Sequence, residues 1–99
     1  MKYIISKEAI NDLEKIWLYT FHAWSVEQAD RYVNLLMEEI EHLSLNPKSG
    51  RDVSHIIQGY YRSKVKSHFI FYRIKRDSDL VEIIRILHQQ MDIKSRLKI

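Results

Sequence analysis

Tyr61-Arg62-Ser63-Lys64-Val65-Lys66-Ser67-His68-Phe69-Ile70-Phe71-Tyr72-Arg73-Ile74 decides the fold of this 99-residue chain. Its first six residues alternate, which places Arg62, Lys64 and Lys66 on one face of a strand. Phe69 to Ile74 is nearly continuous and β-prone, as expected of a central strand covered on much of both faces. Arg76-Asp77-Ser78-Asp79 reads as a turn, and Leu80 to Leu87 as the third strand of a meander.

Upstream the period changes. Lys2-Tyr3-Ile4-Ile5 is a short β-prone run, and Ser6 follows as a helix N-cap with Glu8 in the first turn. Ala9, Leu13, Ile16, Thr20 and Ala23 then fall on one side of a helix, and Ile10, Trp17, Phe21 and Trp24 widen it to an apolar arc of about 160°. Two readings of the widened side stand: both tryptophans in the core, or an arc that partly faces a partner. Ser25, with Gln28 three residues on, begins a second helix. Its apolar set is Val26, Ala29, Val33, Leu36, Met37, Ile40 and Leu43, with Tyr32 at the edge. Asn46-Pro47-Lys48-Ser49-Gly50 ends that helix and opens a loop running to about Gly59. Asp92 would cap a short terminal helix with Ile93 and Leu97 on one side. The order is β-α-α-β-β-β, an α+β domain over residues 1–99 with a helical hairpin packed on a small, mostly antiparallel sheet.

Composition excludes several chemistries. With no cysteine there is no disulfide, thiolate metal site or cysteine nucleophile. The five histidines show no spacing that would converge on one ion, and the two glycines are too isolated for a phosphate loop. Neither metal nor cofactor is expected. No run approaches a membrane span, and Met1 to Ser6 lacks the long apolar stretch of a signal peptide, so a cytoplasmic protein is expected.

Charge is divided unevenly. Residues 1–47 carry 4 basic and 8 acidic side chains, a balance of −4, and residues 48–99 carry 12 and 5, a balance of +7. The basic half fits either an acidic partner or a solvated sheet face. Lys64, Lys66, Arg73, Arg85 and His88 would form a phosphate-binding, proton-moving cluster if they converged. Arg85 calls for a charged partner, because a guanidinium seldom projects bare from an apolar strand. His88 has a bland alternative, a half-buried ring satisfied by a backbone carbonyl.

Three segments together resemble the ParE toxins of type II toxin–antitoxin modules, within the RelE/ParE superfamily. They are Ala9-x-x-Asp12-Leu13-x-x-Ile16 leading to Tyr19-Thr20 and Trp24; Asn46-Pro47-x-x-Gly50 with Gly59 and His68-Phe69-Ile70-Phe71-Tyr72-Arg73; and Ile84-Arg85-Ile86-Leu87-His88-x-x-Met91-Asp92. The resemblance implies a non-catalytic toxin that poisons DNA gyrase, through its A subunit, and is held in a hetero-oligomer by the flexible tail of a ParD antitoxin. No sequence-specific nucleic-acid binding is expected. Within that reading the candidates for the target are Arg85, His88 and Asp92, where the third strand gives way to the tail, and Arg62; those for the antitoxin are Trp17, Phe21, Trp24 and Arg73, from the wide helix arc and the basic C-terminal half. The alternative is a RelE-like, ribosome-dependent mRNA endoribonuclease. Against RelE, His88 is followed by Gln89-Gln90 rather than an aromatic or basic neighbour. Against ParE, the arginine common two positions after the glycine that opens the second strand is Tyr61 here, with Arg62 one step later and hence on the other face.

Overall fold

In the computed structural model, which describes residues 2–97, the chain runs β1 (Tyr3–Ile5), α1 (Lys7–Ala23), α2 (Val26–Leu45), β2 (Arg51–Asp52), β3 (Tyr60–Val65), β4 (His68–Lys75), β5 (Leu80–His88) and α3 (Ile93–Leu97). The five strands form one sheet in the order β1-β5-β4-β3-β2. β1 runs parallel to β5, and every other pairing is antiparallel. The expected α+β architecture is the observed one. The 46–59 loop differs from expectation by holding β2, whose Arg51 and Asp52 pair with Arg62 and Tyr61.

Both long helices start where serine supplies the cap. Ser6 Oγ accepts the Ala9 N–H (3.0 Å) and Ser25 Oγ the Gln28 N–H (3.1 Å), each satisfying a donor that the first turn leaves orphaned. α2 stops at Asn46, one residue before Pro47, whose ring disfavours helical geometry in its predecessor.

The main core lies between the hairpin and the sheet. Ala9 and Ile16 of α1 and Leu36, Ile40 and Leu43 of α2 meet Ile70, Tyr72, Val81, Ile83 and Ile86. Each buried aliphatic side chain contributes about 1.5–3 kcal/mol. A smaller cluster covers the opposite face, where Val53, Phe71 and Leu87 pack under Ile56, Ile93 and Leu97. Phe71 and Tyr72 thus lie on different faces and are both fully buried, as a doubly covered β4 requires.

Three expected placements are corrected. Ala23 and Val26 are exposed, because the hairpin's turn overhangs the sheet. Lys66 is not part of a strand: β3 ends at Val65, and Lys66 takes φ 55° in the two-residue turn before His68. Trp24 is not core, being 77% exposed.

One irregularity sets the geometry of everything downstream. Lys75↔Leu80 through Tyr72↔Ile83 keep one register, but Phe71 pairs with Arg85, leaving Ile84 as an extra residue on β5. This β-bulge reverses which face the rest of β5 presents. Without it His68 would oppose Leu87; with it, His68 opposes His88.

The bulge lies where β1 has just ended, so α1 satisfies its backbone. Ser6 N donates to Ile83 O (2.9 Å), Ser6 Oγ donates to Ile84 O (2.7 Å), and Asp12 Oδ2 accepts the Ile86 N–H (2.9 Å).

Candidate partner-binding site

Below the hairpin's turn, α1, α2 and the far end of the sheet enclose a cleft of about 540 Å³. α1 supplies Asp12, Lys15, Ile16, Tyr19 and Thr20, with Trp24 just beyond its end. Tyr32 enters from α2, Ser67 and His68 from the β3–β4 turn and β4, and Ile86, His88 and Met91 from β5 and the chain after it. A second concavity of about 680 Å³ shares Thr20, Trp24, Tyr32 and Ser67 and adds Gln28, Arg31, Leu35 and Lys66, so the two form one groove around Trp24. Its walls hold large aromatic surface in water: Tyr19 is 73% exposed and Trp24 stands beside it, while the exposed Ile10, Leu18 and Phe21 belong to other sides of α1.

The floor is a polar chain. Tyr32 Oη lies 2.6 Å from His68 Nδ1 and 3.3 Å from Ser67 Oγ. The His68 ring meets the His88 ring edge-on at 5.2 Å and Tyr32 edge-on at 5.4 Å. Burial first, and then the neighbouring His88, push His68 down to about 4, with Asp12 pulling weakly the other way. At neutral pH His68 is therefore uncharged. The Gln90 N–H donates to His88 Nδ1 (3.1 Å), so that nitrogen carries a lone pair and Nε2 carries the proton. The bland alternative for His88, a ring satisfied by a backbone carbonyl, is not what this nitrogen shows, since its partner is a backbone donor.

The sequence-derived target residues scatter around this site. Arg85 has its charged partner inside the molecule: Nε and Nη2 reach Asp12 at 2.8 and 2.9 Å, and Nη1 reaches the Arg96 carbonyl at 3.1 Å. The Asp12 carboxylate holds that guanidinium above its ordinary pKa. Asp92 caps α3, accepting the Ser95 N–H at 3.4 Å. Of the four, only His88 faces the cleft. Arg62 lies on the other sheet face, 4.3 Å above the Phe69 ring.

The antitoxin candidates divide similarly. Trp17 and Phe21 stack on each other at 5.3 Å, and Trp17 Nε1 donates to Asp30 of α2 (2.8 Å). Trp24 stands free at the groove. Arg73 pairs with Glu82 at 2.7 Å, five residues along β4 from His68 and about 17 Å away by strand rise.

The five residues considered for phosphate chemistry do not converge. Arg73 and Arg85 are engaged by carboxylates, Lys66 sits in the turn, and His88 faces the hairpin. Among the described residues no three His, Asp or Glu side chains gather as a metal site, and no helix is long and apolar enough to cross a membrane. Sequence reading passed over Tyr32 and His68 as site residues. Counting the Lys66-Ser67 turn would have found His68 beside Val65, but its meeting with His88 depends on the bulge.

Comparison with known proteins agrees with this architecture. Residues 3–93 match the family described as the ParE toxin of type II toxin-antitoxin system, parDE. The chain is 39% identical to Toxin ParE1 of Caulobacter vibrioides over 95 residues, 96% of each protein. It is 35% identical to Toxin ParE1 of Mycobacterium tuberculosis over 96 residues, 97% of each. A solved structure of the chromosomal ParDE TA system from P. aeruginosa superimposes with a TM-score of 0.77 at 21% identity, covering 89% of this chain and 95% of that one. With a sequence match over residues 3–93 and the hairpin-on-sheet fold in agreement, the chain belongs to the ParE toxin family of type II toxin–antitoxin systems.

Proposed function

We propose that this toxin inhibits DNA gyrase by direct, stoichiometric binding, with the A subunit as the contacted partner, and that a ParD-type antitoxin neutralises it in the cytoplasm. The observation that carries the reading is the groove around Trp24, whose exposed aromatic walls have no core of their own to join. A flexible tail with apolar anchors and acidic side chains fits it by laying a helix or strand along the hairpin. Such a tail would also cover the end of β5, where Arg85, His88 and Asp92 follow one another. Neutralisation would then be occlusion of the surface that meets the target. Family membership supports the antitoxin partner, and the dispersal of the basic residues supports binding over catalysis.

The test is a supercoiling assay titrated with toxin. Inhibition that saturates near one toxin per gyrase and reverses on adding the antitoxin supports the reading. Cleavage of ribosome-bound message with gyrase unaffected would establish the ribonuclease alternative.

A further inference from the structure

The sheet edge farthest from β1 carries a separate concavity, of about 350 Å³, lined by Ser49, Gly50, Arg51, Arg62, Lys64 and Phe69 among others. Three features set it apart. Its cations lack carboxylates: the ion pairs among the described residues are Arg73–Glu82 and Arg85–Asp12, and neither is here. From Lys48 to Arg73 the sequence holds six basic residues and one acidic, Asp52, whose carboxylate accepts the Ser54 N–H instead.

The cations are also held close together. Arg51 and Arg62 stand directly opposite each other across β2 and β3, an arrangement of like charges that destabilises the bare sheet. Arg62 lies 4.3 Å over Phe69, and Lys64 Nζ lies 6.0 Å from the same ring, which fixes the guanidinium fork for bidentate contact. The backbone beneath is rigid as well. Tyr72 Oη accepts the Gly50 N–H (3.0 Å) and donates to Pro47 O (2.8 Å), tying the loop to β4.

We infer that the β2–β3 edge, with Arg51, Arg62 and Lys64 around Phe69, is a sequence-independent binding site for the phosphate backbone of single-stranded nucleic acid. Arg62 and Lys64 stand about 6.8 Å apart along β3, far enough for the two cations to meet different phosphates of one flexible backbone. Cations interleaved with an aromatic ring suit a single strand, whose bases are free to stack. An acidic peptide offers carboxylates on flexible stems and no planar base. This site lies on the sheet face away from the Trp24 groove and stands independently of the gyrase reading.

The experiment follows the anisotropy of a labelled oligothymidylate of about 12 nucleotides on titration with the whole chain. With three cations engaged, the affinity should fall roughly twentyfold between 50 and 200 mM salt. The variant R62A/K64A should bind about tenfold more weakly at the lower salt, while K75A/R76A, at the other end of the sheet, changes binding less than twofold. Should R62A/K64A melt lower than the parent, R62Q/K64Q replaces it, keeping side-chain bulk without charge. Equal loss in both double variants, no salt dependence, tighter binding of a duplex, or equal competition by a polyglutamate of matched charge would each overturn the assignment.

Discussion

Asp12 and Arg85, 73 residues apart in sequence, are joined by two hydrogen bonds of 2.8 and 2.9 Å, and the carboxylate also receives the Ile86 N–H. Arg85 shares its row with Phe71 and reaches both α1 and the Arg96 carbonyl of α3, so it rivets the two layers across the open edge of β5.

Asp12→Ala should therefore be costly. It strips a side chain that is mostly buried from a guanidinium only 20% exposed and orphans a buried N–H. About 2–3 kcal/mol of stability should go, and Asp12→Asn, which keeps an acceptor for Ile86, should lose about half as much. Denaturant midpoints at one pH will rank them. An Asp12→Ala midpoint equal to the parent's would show the rivet to be dispensable.

The same geometry shapes any test of toxicity at Arg85. Arg85→Ala and removal of residues 89–99 should both abolish growth inhibition, and both should also lower the melting temperature, since α3 covers Phe71 and Leu87. A contact with the target is established only by a loss of toxicity larger than the loss of folded protein. His88→Gln, facing the cleft, should reduce toxicity with a melt shift of at most a few degrees.

Acid should weaken the fold through His68. Its pKa is near 6.5 when unfolded and about 4 when folded, so the unfolded chain binds more protons between those values. The stabilisation is complete above pH 6.5 and is lost as the pH falls toward 4. The half-buried position leaves about 1–2 kcal/mol after solvent screening. The drop in denaturant midpoint from pH 7.5 to 4.5 should be smaller in His68→Gln, and identical drops would remove His68 from the account.

Gly50 and Tyr72 should behave as a unit. A Cβ at Gly50 would run into the Tyr72 hydroxyl and the Arg62 carbonyl, so Gly50→Ala should cost about 2–3 kcal/mol. Tyr72→Phe loses two hydrogen bonds and about 1–2 kcal/mol. Removing the hydroxyl also relieves part of the clash, so the double variant should cost less than the sum. Additive costs in urea melts would place the clash on the backbone alone.

The two tryptophans should separate in quenching. Trp24 should be quenched freely by acrylamide and Trp17, half-buried and bonded to Asp30, much less. On binding an antitoxin tail, the emission shift should vanish in Trp24→Phe and persist in Trp17→Phe. The reverse pattern would move the interface to the outer side of α1.

How much of this was legible varies by element. The helices, the meander and the terminal helix follow from period, serine caps and β-prone runs, because burial repeats with the geometry of each element. β2 escaped notice because two residues carry no period, and its pairing is set by β3. The site was less legible. Nothing in Leu80 to His88 marks Ile84 as an extra residue, since every position there is compatible with a regular strand. Its register is fixed from outside by Ser6 and Asp12. The partner of Arg85 was foreseeable as a charge but not as Asp12, which sits on a helical stripe otherwise apolar.

The parallel pairing of β1 with β5 has a consequence for the order of events at synthesis. Tyr3 can find Val81, and Ser6 can find Ile84, only after those late residues have themselves left the ribosome. The hairpin of α1 and α2 is local and can form early, but the sheet it covers cannot close around β5 until then. At 5–20 residues per second, translation leaves several seconds in which the helices exist without their core. Every surface that needs the closed sheet, the polar floor of the groove included, therefore comes into being in one late cooperative step rather than piece by piece.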